Sequence, residues 1–262
     1  MQNKKLSKES IVKYALLGAI ALLAIVLCII FRNNLGQSFN RNFVSKDGYK
    51  NVLTGLKNTF IITISGFIIG LAMGLLTCLI LGLRSNNTFI LIIKQIFKGY
   101  VSIFRGTPMM VQLLIMYFII FVSWTFSGSS LLIAVIAFGL NSGAYISEIL
   151  RGGIGSVPIG QMEAGRSLGL PYSKTMTKVV FPQAIKNSLP SLGNELITLF
   201  KETSIAGYVS VLDLTLGFKK VASNTYDFVY VYLIMGLVYF GFVLLFTFFL
   251  SLLERRLNKN AR

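Results

Sequence analysis

Long apolar runs separated by short polar segments set the pattern of this 262-residue chain. The runs extend from Tyr14 to Phe31 and from about Thr54 to Leu83, Met109 to Trp124, Leu131 to Leu150, Leu189 to Val209 and Val229 to Leu253. Apolar stretches of about 18 residues or more read as helices that cross a hydrocarbon core roughly 30 Å thick. They are continuous and do not alternate, which argues against a barrel. The pattern predicts an all-α, polytopic membrane protein with about six transmembrane helices. Residues 88–104 carry Lys94 and Lys98 in an apolar background, which suits either an interfacial helix or the start of a span. FRGTP, Phe104 to Pro108, should break that helix, because the residue before a proline resists helical geometry. Gly128 and its flanking serines predict a tight turn, residues 32–53 read as a short exposed loop of mixed polarity, and residues 210–228 as a mixed segment with Asp213, Lys219, Lys220 and Asp227.

The first apolar run follows Lys4, Lys5, Lys8 and Lys13. It is longer than an ordinary signal-peptide core and lacks a small-residue cleavage site, so it reads as a retained span. The expected division is residues 1–53 for the tail, first helix and external loop, 54–253 for the core, and 254–262 for a basic tail. Gly66, Gly70 and Gly74 repeat every four residues in the second span, a stripe that lets helices approach closely.

Charge sets the expected orientation. The chain holds 25 Lys and Arg against 9 Asp and Glu, a formal charge of +16. With a cytoplasmic N-terminus, 17 of the 25 fall in cytoplasmic segments, 7 outside, and Lys201 within a span. The positive-inside rule selects that orientation, with both termini cytoplasmic in a bacterial plasma (inner) membrane. The excess charge thus finds anionic lipid as its partner, and no nucleic-acid-binding module is present. The chain has no histidine, and Cys28 and Cys78 lie inside apolar runs as packing residues. No metal or redox site is expected. No G-x-x-x-x-G-K-[ST] phosphate loop is present, so no ATP site is expected on this chain.

The interval Arg151–Pro190 is polar and basic, and must lie outside the lipid. Pro158 suits a helix's first turn, and Gln161–Leu168 provides about two turns. Gly169 stands where a left-handed cap is wanted, and Pro171 blocks continuation. Ser173 is expected to cap a second helix parallel to the membrane, which Pro182 bends or ends. Ala164 and Gly165 are expected to leave an uncluttered surface that a partner's cleft approaches. An ordinary helix packed on the bundle is the other reading.

This loop resembles the EAA motif of ABC importer permeases: Glu163-Ala164-Gly165, then Gly169, then Phe181-Pro182. More narrowly, the chain resembles the polar amino-acid permease family in FRGTPMMVQ (104–112), GAYISEILRGGI (143–154), VPIGQMEAGRSLGL (157–170), FPQAIKNSLPSLGNELI (181–197) and KETSI (201–205). These stretches lie in the expected order over about residues 54–253. The resemblance implies one half of an importer. Two permease subunits pair, identical or not, and cytoplasmic ABC ATPase subunits bearing ATP and Mg take up the loops as coupling helices. An extracellular or periplasmic amino-acid-binding protein delivers the solute. Gly165 departs from the second alanine of the motif, and the first helix looks like an addition to the family core. The chain shows no internal repeat, so a two-fold pathway requires a second subunit.

Ionisable residues within spans are functional candidates. Lys201 lies near mid-bilayer. Glu195, Thr198 and Glu202 share one helix face, where carboxylates can receive a substrate ammonium while Lys201 steers a carboxylate. An interhelical ion pair is the alternative. Asn141, Ser142 and Tyr145 are further pathway candidates. Glu148 is expected to pair with Arg151, and Gln112 to hydrogen-bond a neighbouring helix. A permease for another small solute and a membrane anchor that moves no solute are the rival functions.

Overall fold

The computed structural model describes residues 36–83, 85–124 and 129–259. The expected first span, Lys4 to Lys13, Cys28, Arg84, the turn at Gly128 and the last three residues of the basic tail lie outside them. Among the described residues every regular element is helical. The α-helices are α1 (Gly48–Gly82), α2 (Thr88–Gly106), α3 (Met109–Ile115), α4 (Ser129–Gly155), α5 (Ile159–Ser167), α6 (Tyr172–Thr175), α7 (Phe181–Glu202), α8 (Leu214–Thr225) and α9 (Phe228–Lys259). Of these, α1, α4 and residues 228–254 of α9 are long and apolar enough to cross a membrane. The bent pair formed by Thr88–Gly106 and Met109–Ile120 makes a fourth if it counts as one span. The expected third span is therefore not a span by itself: Met109–Ile120 is the short second arm of that pair. Helix α7 falls outside this set by composition, since Lys186, Glu195, Lys201 and Glu202 interrupt it.

Helix α1 runs 35 residues, roughly 50 Å at about 1.5 Å per residue. It starts six residues before the expected Thr54. Gly48 permits this, because a side chain there would overlap the carbonyl oxygen of Asn42. The preceding segment is not a free loop. Asn42 and Phe43 are buried, Phe43 stacks edge-on to Phe218, and Asp227 accepts from Arg41 at 2.6 Å and Asn42 at 2.9 Å.

The centre of the fold is the contact of α1 with α4. The glycine stripe lies on it. A Cβ at Gly70 would stand 3.0 Å from the Cβ of Ser142, and one at Gly74 would press Ile146 at 2.5 Å. The partner helix reciprocates: a Cβ at Gly139 would meet Ile69 at 2.7 Å, and one at Gly143 would meet Met73 at 2.8 Å. Ile62, Phe138 and Leu199 close the core at 0–1% exposure, which joins α7 to the pair.

The break at Pro108 is sharp. Thr107 and Pro108 are extended, and the axes of the two arms differ by 114°. Pro108 has no N–H, so the Phe104 carbonyl four residues earlier loses its helical donor. Buried side chains replace it: Gln112 Nε2 donates to Phe104 O at 2.8 Å, and Asn141 Nδ2 donates to it at 3.3 Å.

The mixed segment 210–228 contains α8, which buries Leu214, Phe218, Val221 and Ala222. Its start is coded locally. Asp213 caps it, accepting from Thr215 N and Leu216 N at 3.1 Å each. Asn58 of α1 donates to Leu212 O at 2.9 Å and Thr59 Oγ1 accepts from Leu214 N at 3.0 Å, so the cap is held from the side as well. Asp213 is fully buried, and burial pushes its carboxyl up to about 6 against the opposing backbone N–H bonds.

Two outcomes follow from this packing. Gly74→Leu should lower the thermal stability of the detergent-purified chain by the equivalent of about 1–3 kcal/mol, the cost of overpacking. Gly99→Ala, where nothing lies within 4 Å, should be neutral or gain up to about 1 kcal/mol. For Asp213, a raised folded-state pKa favours the folded chain fully below the ordinary carboxylate value. That contribution is lost as pH rises towards and through about 6. Asp213→Asn should therefore flatten the slope of melting temperature against pH between about 4 and 6.

Candidate functional site

Two regions carry the predicted residues. The first is the loop between α4 and α7. Helix α5 spans Ile159–Ser167, with Pro158 at its N-cap rather than in its first turn. Its end follows the local chemistry. Gly169 adopts φ +81°, Gly169 N donates to Arg166 O at 2.9 Å and Leu170 N to Gly165 O at 3.1 Å. This pair of bonds is a Schellman closure, and only glycine takes that φ without strain.

The chain turns at Leu170-Pro171 and re-enters helix at Tyr172, capped by Pro171. Ser173 is thus inside the helix and does not cap it. Nor does Pro182 end the second helix. Helical backbone runs from Tyr172 to Glu202 through a π-turn, Met176–Val180, which brings Pro182 to the first turn of α7, where its missing N–H is tolerated. Pro190 also lies within α7. The stretch that truly lies between long helices is therefore shorter than Arg151–Pro190.

Glu163 and Ala164 are exposed on α5, flanked by Ile159 at 76% and Leu168 at 83% exposure. Gly165 corrects the expectation of a clear outward surface. It is buried and turned inward, against Thr175. Beneath α5, Val157, Val180 and Ala184 form a small apolar cluster with Met162 and Met176. Gln183 Nε2 reaches Gln161 Oε1 at 3.2 Å, and Asn187 Nδ2 reaches Ser156 Oγ at 2.9 Å. The helix therefore sits on the start of α7 as one unit.

The second region is the inner part of α4 and α7. Ser142 Oγ donates to Glu195 Oε1 at 2.7 Å and ties the two helices. Thr198 and Lys201 are exposed and Glu202 is half-buried. The interhelical ion pair considered for these residues does not form among the described residues. Asn141 is 3% exposed, and its amide donates to Gln112 Oε1 at 2.8 Å as well as to Phe104 O. Its donors are engaged in bracing the Pro108 break. Tyr145, at 37% exposure, lies under the Arg105 guanidinium at 5.6 Å. Arg105 and Arg151 both pair with Glu148, at 3.4 and 2.6 Å, as the spacing of Glu148 and Arg151 foretold for one of them.

A larger pattern went unread in the sequence. Asn187, Ser191, Asn194, Thr198 and Lys201 are all exposed. Their spacing of i, i+4, i+7, i+11 and i+14 places them in one stripe along α7. The signal was available as a polar 3.6-residue period inside an apolar run.

Residues 74–259 match the family described as binding-protein-dependent transport system inner membrane component. The chain belongs to this family. An arginine transport system permease protein of Bacillus subtilis is 40% identical over 209 residues, covering 80% of this chain and 93% of that protein. An L-cystine transport system permease protein of the same organism is 34% identical over 236 residues, covering 88% and 98%. Among solved structures, an amino acid ABC transporter crystallised with histidines has a TM-score of 0.73 at 38% identity, over 82% of this chain and 98% of that one. A bacterial alginate ABC transporter, 14% identical at a TM-score of 0.60, shares the fold alone. The chain is therefore a membrane permease component of an ABC transporter, and the EAA-type loop with its coupling helix is a feature of the family.

Within this permease the Gln112–Asn141 amide pair holds the broken helix to α4. Asn141→Leu leaves Gln112 Oε1 without its donor and should destabilise the purified protein by about 1–3 kcal/mol, read as a lower melting temperature in detergent.

Proposed function

We propose that this chain is the permease subunit of an ATP-driven importer for polar amino acids, seated in a bacterial inner membrane with both termini cytoplasmic. The observation that carries the reading is the exposed polar stripe of α7. Polar groups on a membrane-embedded helix face a partner or a water-filled path, not lipid. A second permease subunit, identical or related, placed against this stripe closes a pathway between two copies of α7. Glu195 and Glu202 at its edge then receive the ammonium group of the solute, Thr198 supplies a hydroxyl, and Lys201 steers the carboxylate. The names of the relatives, which include arginine and cystine permeases, support amino acids as the cargo.

Energy enters through α5. Glu163 and Ala164 present the exposed face that docks in a cleft of a cytoplasmic ATPase subunit, while Gly169 and Pro182 shape the two ends of the connection. ATP and Mg belong to those partner subunits. Closure of the ATPases pushes on α5, and because α5 rests on α7 the displacement tilts the helix that lines the pathway. Rocking of rigid units around a central site produces alternating access. A binding protein on the opposite face supplies the solute.

Glu163→Lys is expected to reduce co-purified ATPase at least about tenfold while leaving membrane insertion intact, since reversing a charge at a docked interface costs about 1.4 kcal/mol or more. Normal ATPase recovery and normal uptake would remove α5 from the coupling role. Replacing Thr198 with Leu and Lys201 with Met together should lower uptake of labelled arginine, glutamine or cystine with ATPase recovery preserved. Unchanged uptake of every solute carried by the wild-type complex would remove the stripe from the pathway. A wild-type complex that moves none would favour the anchor.

A further inference from the structure

The reading of α5 as the docking element leaves open how a push on a nine-residue helix reaches the membrane without being lost in its own connection. We propose that Gly165 and Thr175 form a joint without clearance, which fixes the angle between α5 and the helical stretch leading into α7. It makes Thr175 a positioning residue for coupling.

Glycine inside a helix is less favourable than alanine by about 1 kcal/mol. Gly165 is an ordinary helical position in α5, not a turn, so backbone freedom does not explain it. Contact does. A Cβ added there would overlap Thr175 Cγ2 and stand 3.0 Å from Thr175 Oγ1 and 3.3 Å from its Cβ. Both residues are buried, Thr175 completely. Neither can be moved cheaply. The Gly165 carbonyl accepts from Leu170 N in the closure of α5, and Thr175 Oγ1 bonds to Pro171 O at 3.3 Å. The same six residues, 165 to 170, therefore close the turn and set its distance from Thr175. Immediately beyond lies the π-turn Met176–Val180, which hands the displacement to α7.

Two neighbouring contacts act in the same sense but differ in kind. The Gln161–Gln183 bond is exposed, and the apolar cluster of Met162 with Val180 tolerates sliding. Side chains on flexible stems bend before they push. A backbone seated on a β-branched side chain does not, because a β-branched residue in a helix has one or two accessible χ1 rotamers.

The joint is tested in the complete complex of permease, ATPase and substrate-loaded binding protein, reconstituted in vesicles. Stimulation of ATPase by the loaded binding protein and solute uptake are read together. Gly165→Ala should lower the ratio of stimulated to basal ATPase at least about fivefold, the lower end of what overpacking by one methyl does to a packed equilibrium. Adding Thr175→Ser removes Cγ2 and keeps the hydroxyl, so Gly165→Ala/Thr175→Ser should recover most of the ratio. Gly165→Ala/Thr175→Val retains a branched β-carbon and should not. If Gly165→Ala alone fails to assemble, the same pair decides, by whether the serine double variant assembles and the valine one does not. A Gly165→Ala complex with wild-type stimulation, or equal behaviour of the serine and valine double variants, overturns the joint. Absence of ATPase from the wild-type complex is a different result, and it overturns the docking role of α5 instead.

Discussion

Two helices in lipid gain nothing by hiding apolar side chains from water, so they hold together only as well as their surfaces meet. In this protein that constraint falls on α1 and α4. Gly70 and Gly74 on one side and Gly139 and Gly143 on the other remove the side chains that would keep the backbones apart. Everything else is hung on this pair. Helix α7 packs on it through Leu199 and Ser142–Glu195, and α8 packs on the first turns of α1 through the buried Asp213.

The same solvent explains the polar bonds inside the bundle. A proline in a helix leaves a carbonyl without its donor, and lipid offers no replacement. Gln112 and Asn141 supply one, and by doing so lock a 114° bend to the central helix pair. The bent arm is thus a rigid part of the scaffold. By contrast, among the described residues only Asn187 of the polar stripe on α7 has a side-chain hydrogen bond, to Ser156. Around the Pro108 break the polar groups are satisfied within the bundle, whereas the stripe on α7 is exposed.

Helix α5 is too short to be stable by itself, since isolated helices under about 12 residues are marginal in water. It persists because its C-terminal closure, its apolar underside and its contact with Thr175 all act on nine residues. This places the exposed face of α5 and the start of α7 in one body.

Much of this was legible in the chain itself. The apolar runs identified the membrane class and most of the long helices, and FRGTP located the break. Gly169 and Pro171 located the end of α5, while the order of the EAA-like and flanking stretches pointed to a permease. These features are local: period, turn chemistry and charge act over a few residues, and neighbours in sequence suffice to express them. What tertiary structure decided is which side each polar residue faces. Asn141 was read as a pathway residue and is a brace. Gly165 was read as outward clearance and is inward contact. The segment 210–228 was read only as mixed and holds a buried, capped helix, and Pro182, expected to bend or end a helix, lies in the first turn of α7 just after a π-turn. For Asn141 and the α8 start the outcome depends on a partner far along the chain, Gln112 and Thr59, and for Gly165 on Thr175 across the turn. Local pattern states that a residue is polar or small, but only the packed neighbour determines whether that property is used for holding or for moving.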